Sequence, residues 1–376
     1  MAIGFVCQSA FSLINLNKCY RIRQHKLERS KTMTHFEEYK KQTEPEKYKK
    51  AENWGIAIGL QQVDGLTPSK YLIEVAKDNI EGKISIDEAN EQITRYYKQN
   101  PAQTLKEHDE KEADEVSARI AKLLSTHAFT FSPAELIGIH KELFQGILDD
   151  KIAGKIRTYD IVKEEEILNG GTVLYGRATT IMDMLDYDFK TEKEFNYKDL
   201  SKKEMVAHLV KFISGIWQIH PFAEGNTRTT AVFTIKYLYT LGFKTNNDLF
   251  EQHSKYFRNA LVRANYQNLD KGIPYTMTYL NKFFGNLLLD EENALDNREM
   301  QIKEEGSQKT IKSSQKSSQK ILELIKQNPY ITTTEMAENL KISRRAIAKQ
   351  ITNLKENNQI RRIGPDKGGH WEVIEN

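Results

Sequence analysis

The sequence has almost no cysteine and no long apolar run, and each shortage excludes a class of protein. Its 376 residues include only two cysteines, Cys7 and Cys19, so the body of the chain can form neither disulfides nor thiolate metal sites. This indicates a reducing compartment, and we expect a cytoplasmic protein. No stretch reaches the roughly 18 apolar residues of a membrane-spanning helix, so no membrane partner is expected.

The chain also has little net charge. Its 55 basic residues stand against 52 acidic residues, a formal charge of +3, so the chain as a whole does not have the charge of a nucleic-acid-binding protein. Any such binding would come from a local patch. Hydrophobic residues make up 39% and charged residues 28%, as in soluble globular proteins, and the length favours two or three domains.

Residues 1–32 differ from the rest. Their apolar stretch lacks the preceding positive residue and the small-residue cleavage site of a signal peptide, and a basic segment follows it. A polar helical pattern then begins at Met33. We expect the natural start at Met33, with residues 1–32 a non-native or disordered extension; a short anchoring segment is the alternative.

Residues 33–98 are typical of a small unit of short helices. An apolar face at Trp54, Ile58 and Leu60 precedes a turn at Asp64-Gly65. Capping patterns at residues 67–69 and 85–88 predict the starts of two further helices. The unit is too small for a large core of its own, so we expect it to lie against the next domain.

Residues 99–290 are predicted to form a mainly helical domain. Helical patterns cover residues 111–127, 133–146, 202–219, 228–241 and 273–289. Between them, residues 155–162 and 170–175 show alternation, β-branched residues and paired glycines. This predicts a small β-hairpin or extended flap, with a plain surface loop as the alternative.

A linker and a third unit follow. Residues 291–318 are expected to be the linker, since Ser, Gln and Lys dominate from Gln308 onwards. Residues 319–376 predict three helices and then a hairpin, an order that resembles a winged helix-turn-helix. Thirteen basic against seven acidic residues from 307 to 376 permit DNA binding. Winged helices also serve as protein-docking or dimer modules. The DNA-contacting residues would be Arg344, Arg345 and Lys349, with Arg361 and Arg362 on the wing.

The segment with the clearest chemistry is HPFAEGNTR, residues 220–228, between two apolar helices. A helix beginning after Thr227 would offer free backbone N–H groups and a partial positive charge to phosphate. Gly225 permits close backbone approach, Asn226 offers an amide and Arg228 offers a planar cationic fork. These features predict a phosphate-binding loop.

The same segment supplies groups for catalysis. Glu224 would place one hard oxygen ligand beside the phosphates, as suits a Mg²⁺ ion that keeps most of its waters. His220 titrates in the range needed to take a proton from an incoming hydroxyl at neutral pH.

The segment resembles the Fic family signature, His-x-Phe-x-(Asp/Glu)-Gly-Asn-Gly-Arg-x-x-Arg. The resemblance implies a helical Fic core and the transfer of AMP from ATP to a Ser, Thr or Tyr hydroxyl of a target protein. It makes His220 the general base and Glu224 the Mg²⁺ ligand. The nucleotide would be bound by Gly225, Asn226, Thr227 and Arg228. The target segment would be docked by strand addition along the flap at Gly171, Thr172, Val173, Leu174 and Tyr175.

The sequence departs from this signature at two positions. Thr227 replaces the second glycine, where the loop approaches phosphate. Ala231 stands where the family has a second arginine, which there orients the γ-phosphate and pairs with an inhibitory glutamate. The departures put productive placement of ATP in question.

The amino-terminal helices carry a second resemblance. Residues 60–66 and 81–89 are similar to the small antitoxin partners of Fic toxins, here fused into one chain. The antitoxin motif is Ser/Thr-x-x-x-Glu-Gly, and Leu60, Asp64 and Gly65 occupy its fixed positions. The resemblance implies an inhibitory role for Asp64 and Gly65, as a vestigial or retuned brake.

Several alternatives remain open at this stage. In a second hypothesis, the chain is a DNA-bound regulator that senses nucleotide without transferring it. Ala231 and the basic residues from 307 to 376 favour this hypothesis. In a third hypothesis, the chain transfers another phosphate-linked group. Glu224 argues against it, because a Mg²⁺ ligand indicates a metal–triphosphate donor and hence the transfer of AMP. The sequence does not identify the target protein, for which the chain itself is one option. It also does not show whether the chain forms a homodimer, as many relatives do.

Overall fold

The computed structural model describes residues 36–41, 44–243, 248–302, 319–340, 344–356, 359–364 and 369–374. The fold is mainly helical, as the sequence predicts, and it divides into one compact unit up to Met300 and a second from Gln301. The expected extension, residues 1–32, lies outside the described part. Within that part, no helix is both long enough and apolar enough to cross a membrane.

Eleven helices are described in the first unit, and we number them in chain order. They are α1 Glu37–Lys40, α2 Pro45–Gly59, α3 Lys70–Ile80, α4 Ile86–Gln99, α5 Leu105–Ser125, α6 Pro133–Phe144, α7 Ile181–Glu194, α8 Lys202–Ile219, α9 Asn226–Thr240, α10 Asp248–Ala264 and α11 Thr278–Leu288. Short 3₁₀ helices cover Leu60–Asp64, Glu166–Leu168, Ala178–Thr180 and Asn297–Met300.

The helix starts follow the capping residues in the sequence. The cap of α3 is Ser69, which accepts a backbone hydrogen bond, so Pro68 precedes the helix instead of lying in its first turn as the sequence predicts. Ser85 forms a reciprocal capping box with Glu88 at the start of α4, where the sequence predicts a helix start. The predicted turn at Asp64-Gly65 is present, with Gly65 at a φ of 74°. Helices α7 and α10 were not predicted. The first has only a narrow apolar stripe, and the second is broken by a non-helical residue at His253.

The amino-terminal helices are part of the same compact unit as the rest of the domain. Gly55 and Gly59, one turn apart on α2, face α10 so closely that a Cβ on Gly59 would lie 2.5 Å from the Cα of Glu251. The hydroxyl of Ser254 donates to the carbonyl of Gly59 at 2.6 Å, and a buried ion pair joins Lys40 to Glu251 at 2.6 Å. The expectation that this segment lies against the next domain is met through these contacts.

Helix α9 is the central helix of the unit. Every residue from Asn226 to Leu238 is buried, which explains the absence of a polar face in its sequence. The loop of residues 220–225 joins the end of α8 to the start of this helix. The loop is therefore anchored in the core at both ends.

The predicted flap is extended but barely a hairpin. A single antiparallel bridge joins Glu164 to Thr172, and the N–H of Glu165 donates to the carbonyl of Gly171 at 2.9 Å. Side chains then alternate, because Val173 is buried whereas Leu174 is 81% exposed. Of the two predicted structures, the segment therefore forms the extended flap and not a β-hairpin.

The second unit has the predicted three helices and hairpin. Residues 319–327 form α12, followed by α13 Thr333–Leu340, α14 Arg344–Glu356, β1 Ile360–Ile363 and the antiparallel β2 His370–Val373. Its core includes Ile321, Ile325, Met336, Ile347 and Trp371.

The linker begins later than expected. Met300 is buried in the first unit, and residues 291–300 belong to that unit, while 303–318 lie outside the described part of the chain. Residues 341–343, before α14, and residues 365–368, between β1 and β2, are also outside it.

Candidate active site

His220 ends α8 in the left-handed conformation, with φ 52° and ψ 61°. Its side chain is buried, and Nδ1 lies 3.2 Å from the carbonyl oxygen of Trp217. Because a carbonyl oxygen can only accept, Nδ1 carries the proton and donates it. The lone pair of the imidazole is therefore on Nε2, which is buried and has no hydrogen-bond partner.

The surroundings of His220 keep its ring neutral. Burial lowers the pKa of His220 well below its usual range, and the positive charges of Lys163, Arg157 and Arg258 act in the same direction. The ring of Tyr175 packs against the imidazole with centroids 4.2 Å apart. At neutral pH Nε2 is therefore unprotonated, which is the protonation state of a general base, but the pKa lies below the range that the sequence predicts for this residue.

The loop after His220 depends on Gly225. This residue has a φ of 72°, and a Cβ there would lie 2.3 Å from Cε2 of Phe144. Asn226 then ties the loop to itself: its Oδ1 accepts from the N–H of Phe222 at 3.0 Å, and its Nδ2 donates to the Phe222 carbonyl at 2.8 Å. Asn226 thus shapes the loop, whereas the sequence predicts an amide that faces phosphate.

His140 of α6 supports the same loop, and the sequence reasoning did not identify it. Its ring stacks on Phe222 with centroids 3.8 Å apart. Nδ1 accepts from the N–H of Gly154 at 2.9 Å, so Nε2 carries the proton and donates to the carbonyl of Glu224 at 3.1 Å. Burial lowers the pKa of His140 to about 4. No local pattern marks this residue, because its partners come from two distant segments.

Glu224 is the acidic group of the loop. Its side chain is about half exposed, and the Lys163 ammonium stands 4.0 Å from Oε1. Within the described residues, no group of three His, Cys, Asp or Glu side chains could hold a metal ion. A cation at Glu224 would therefore need most of its ligands from water and phosphate.

Thr227, which replaces the family's second glycine, is turned into the core. Its Oγ1 accepts from the indole N–H of Trp217 at 3.0 Å, and the residue is buried. The side chain therefore does not fill the loop. Since α9 begins at Asn226, the first N–H groups of that helix remain without intrahelical partners.

Arg228 is buried and faces the amino-terminal segment. Its Nη1 donates to Oε1 of Gln61 at 3.1 Å and its Nη2 to Oε1 of Glu112 at 2.7 Å. Its Nε lies 2.8 Å from Oδ2 of Asp64 in an ion pair that lacks the alignment of a hydrogen bond. The guanidinium also lies over the ring of Phe144, 4.8 Å from its centre.

These contacts give the predicted inhibitory residue a different partner. The sequence pairs Asp64 with the family's second arginine, whose place Ala231 takes. In the structure Ala231 is buried, and Asp64 contacts the first arginine, Arg228. Glu112 on α5 is a second carboxylate at this site that the sequence reasoning missed, because an acidic residue on a charged helix carries no signal.

Two further histidines belong to the first unit, and the predicted DNA-contacting residues belong to the second unit. His208 contacts Glu192 at 2.6 Å and stacks on Phe195, and His253 is partly buried, in keeping with packing roles. Arg344, Arg345 and Lys349 fall on α14, with their side chains outside the described part of the structure. DNA contact by these three residues stays a prediction.

Comparison with known proteins identifies two domains. The Fic/DOC family matches residues 130–238, and a winged helix-turn-helix DNA-binding family matches residues 315–361. No curated protein matches the chain.

The solved structures to which the chain is similar include a Fic family protein from Desulfovibrio desulfuricans G20, with 12% identity, 87% of this chain and 88% of that chain covered, and a TM-score of 0.42. The N-terminal FIC domain of Bep8 from Bartonella sp. 1-1C has 18% identity and a TM-score of 0.38, and the match covers 50% of this chain and 88% of that chain. BepC from Bartonella tribocorum with bound AMPPNP has 19% identity and a TM-score of 0.36, and the match covers 48% of this chain and 87% of that chain.

Proposed function

The chain carries a Fic domain followed by a winged helix-turn-helix, and from that premise we propose that it transfers AMP from ATP to a Ser, Thr or Tyr hydroxyl of a target protein. The observation that carries the proposal is the buried, unpartnered Nε2 of His220, which lies beside a glycine-shaped loop at a helix start. A buried basic nitrogen without a partner is costly to maintain, and it is the group that this reaction needs.

His220 acts as the general base. Its Nε2 takes the proton of the target hydroxyl as the hydroxyl oxygen bonds to the α-phosphorus of ATP. The bond from that phosphorus to the oxygen bridging to the β-phosphate breaks, and pyrophosphate leaves. The Nδ1–H bond to Trp217 fixes the tautomer and orientation of the ring throughout.

The loop fits a magnesium nucleotide. Glu224 supplies one carboxylate, which with phosphate oxygens and waters meets the usual needs of Mg²⁺. Mg²⁺ held there would neutralise charge on the phosphates. The first N–H groups of α9, at Asn226, Thr227 and Arg228, would bind phosphate oxygens, while the side chain of Asn226 keeps the loop in shape.

The amino-terminal segment would act as a brake on nucleotide binding. Asp64, with Gln61 and Glu112, occupies the guanidinium that a triphosphate would otherwise use. Gly65 closes the 3₁₀ helix that presents Asp64. This arrangement predicts slow transfer in the intact chain that rises when Arg228 is released.

The flap from Gly171 to Tyr175 would dock the target. Its backbone is extended, Leu174 projects outward and Tyr175 packs against His220. A target segment added as a strand here would bring its hydroxyl towards Nε2.

The test is incubation of the purified chain with Mg²⁺ and ATP labelled on the α-phosphate, alone and with cell lysate. His220→Ala should abolish label on protein, while the exposed His127→Ala should leave it unchanged. Absence of protein label in the parent and in the full-length variants Asp64→Asn and Glu112→Gln, which release Arg228, would refute AMP transfer.

A second candidate is a DNA-bound regulator that senses nucleotide. The observation that favours it is the complete engagement of Arg228, together with Ala231 in place of the second arginine. In that case the parent would bind nucleotide and DNA but leave no label on protein. Assays with γ-labelled ATP and with DNA, run on the same samples, distinguish this outcome from phosphate transfer.

A further inference from the structure

Arg157, in the loop between α6 and the flap, donates hydrogen bonds to backbone carbonyls of three segments. Its guanidinium is buried, and Nε donates to the carbonyl of His220 at 2.8 Å. Nη2 donates to the carbonyl of Ile219 at 3.2 Å and also to that of Gly176 at the end of the flap. Nη1 donates to the carbonyl of Tyr159 at 2.7 Å. One side chain therefore joins the end of α8, the flap and its own loop.

This guanidinium is committed to carbonyl oxygens rather than to an ion pair. The carboxylate of Asp160 stands 3.9 Å from Nη1 and accepts the N–H of Ala178 at 2.7 Å. The carbonyls at the end of a helix have no intrahelical partners, and the helix dipole favours a cation there. The planar fork of an arginine can serve several of them at once, which a lysine ammonium cannot do.

The contacts fix the backbone on which the catalytic ring is mounted. His220 is a non-glycine residue with a positive φ, a conformation that persists only where its surroundings impose it. Arg157 holds this backbone through the carbonyls of Ile219 and His220, and its own N–H donates to the carbonyl of Pro221 at 2.9 Å.

We propose that Arg157 is a positioning residue for AMP transfer, which holds His220 and the exit of the flap in one frame so that the docked hydroxyl and Nε2 meet. The inference rests on the proposed function. Arg157 does not contact Nε2, and its guanidinium donates to none of the proposed nucleotide-binding residues, Gly225, Asn226, Thr227 and Arg228. Its loss should therefore affect the chemical step and leave nucleotide binding intact.

The experiment compares Arg157→Met and Arg157→Lys with Arg119→Lys in the full chain. Arg119 is a matched control, because its Nη1 donates to the carbonyls of Leu143 and Gln145 at the end of α6, at 3.0 and 2.7 Å. We expect kcat for transfer to fall about 100-fold in Arg157→Met, since a displacement near 1 Å can cost that much. Lysine should restore little of it. The Kd of ATP should change less than about twofold, and Arg119→Lys should keep kcat within about threefold.

Hydrogen exchange supplies a readout that does not need activity. In Arg157→Met, peptides covering residues 174–178 and 217–222 should exchange faster, while residues 133–144 stay unchanged. An unchanged kcat overturns the proposal, as does a loss of kcat that is matched by lost ATP binding and faster exchange throughout the chain. A parent chain that never labels protein refutes AMP transfer instead. The exchange pattern then still decides whether Arg157 holds the two segments together.

Discussion

The contacts of Arg228 predict that removing either neighbouring carboxylate accelerates AMP transfer. Asp64 lies 2.8 Å from its Nε and Glu112 2.7 Å from its Nη2, so a triphosphate must displace both before it can use this guanidinium. Asp64→Asn and Glu112→Gln remove one negative charge each with little change in volume. Both should raise kcat/KM for ATP.

The magnitude follows from the exposure of the two acids. A hydrogen bond to a charged group contributes about 1.5–3 kcal/mol. The side chains of Asp64 and Glu112 are 30% and 25% exposed, so solvent screening favours the lower end of that range. About 1.5 kcal/mol corresponds to roughly a tenfold gain in kcat/KM for Glu112→Gln. The Asp64 contact is an ion pair without hydrogen-bond alignment, so about 1 kcal/mol, or roughly a fivefold gain, is expected for Asp64→Asn. The double variant should gain less than the product, because both acids share Arg228.

The assay is automodification with α-labelled ATP at a series of ATP concentrations. Asp78→Asn is the control, since Asp78 pairs with the exposed Lys83 at 2.9 Å and is not among the contacts of Arg228. Rates that stay at the parent value in Asp64→Asn, Glu112→Gln and the double variant would show that these acids do not restrain the enzyme. A gain in all variants including Asp78→Asn would indicate a general charge effect.

Three further predictions concern stability. Burial lowers the pKa of His140 to about 4, so between pH 6.5 and 4 the unfolded chain binds a proton at this residue that the folded chain does not. Its contribution to stability is complete above pH 6.5 and is lost towards pH 4, so His140→Gln should reduce the pH dependence of thermal melts in that range, while the part due to His220 remains. Gly225→Ala should destabilise by more than about 2 kcal/mol in urea titrations, because its Cβ would overlap a phenylalanine ring. Gly82→Ala, at a similar φ but in open space, measures the backbone strain alone, and an equal loss in both would refute the overlap. Gly59→Ala should also lower the melting temperature, because its Cβ would meet the backbone of α10, whereas Gly138→Ala, in an open helical position, should raise it slightly.

The sequence predicts those parts of the molecule whose causes are local. Ser85 and Glu88 lie three residues apart, so their capping box and the start of α4 can be read directly. The loop from His220 to Arg228 is likewise continuous in sequence. The hairpin and three helices of the second unit also follow from short patterns and their order.

What could not be predicted depends on contacts between distant residues. Arg157 contacts His220 across 63 positions, and Arg228 contacts Glu112 across 116. The new partner of Asp64 could not be foreseen either, since Ala231 removes the expected arginine and only the packing of Leu60–Asp64 against α9 decides what replaces it. Sequence patterns identify the groups at this site, and the tertiary contacts decide what each group is free to bind.

The close contact between α2 and α10 limits how the proposed inhibition by Asp64 could be relieved. With Gly55 and Gly59 against Glu251, the segment proposed to be inhibitory cannot leave the domain without exposing its core. A separate antitoxin responds to dilution and to its own degradation, because its occupancy depends on concentration. Here the ratio of inhibitor to enzyme is fixed at one, and release is a unimolecular event whose equilibrium is independent of expression level. Control would therefore have to come from ligands or target proteins that move Leu60–Asp64 by small distances.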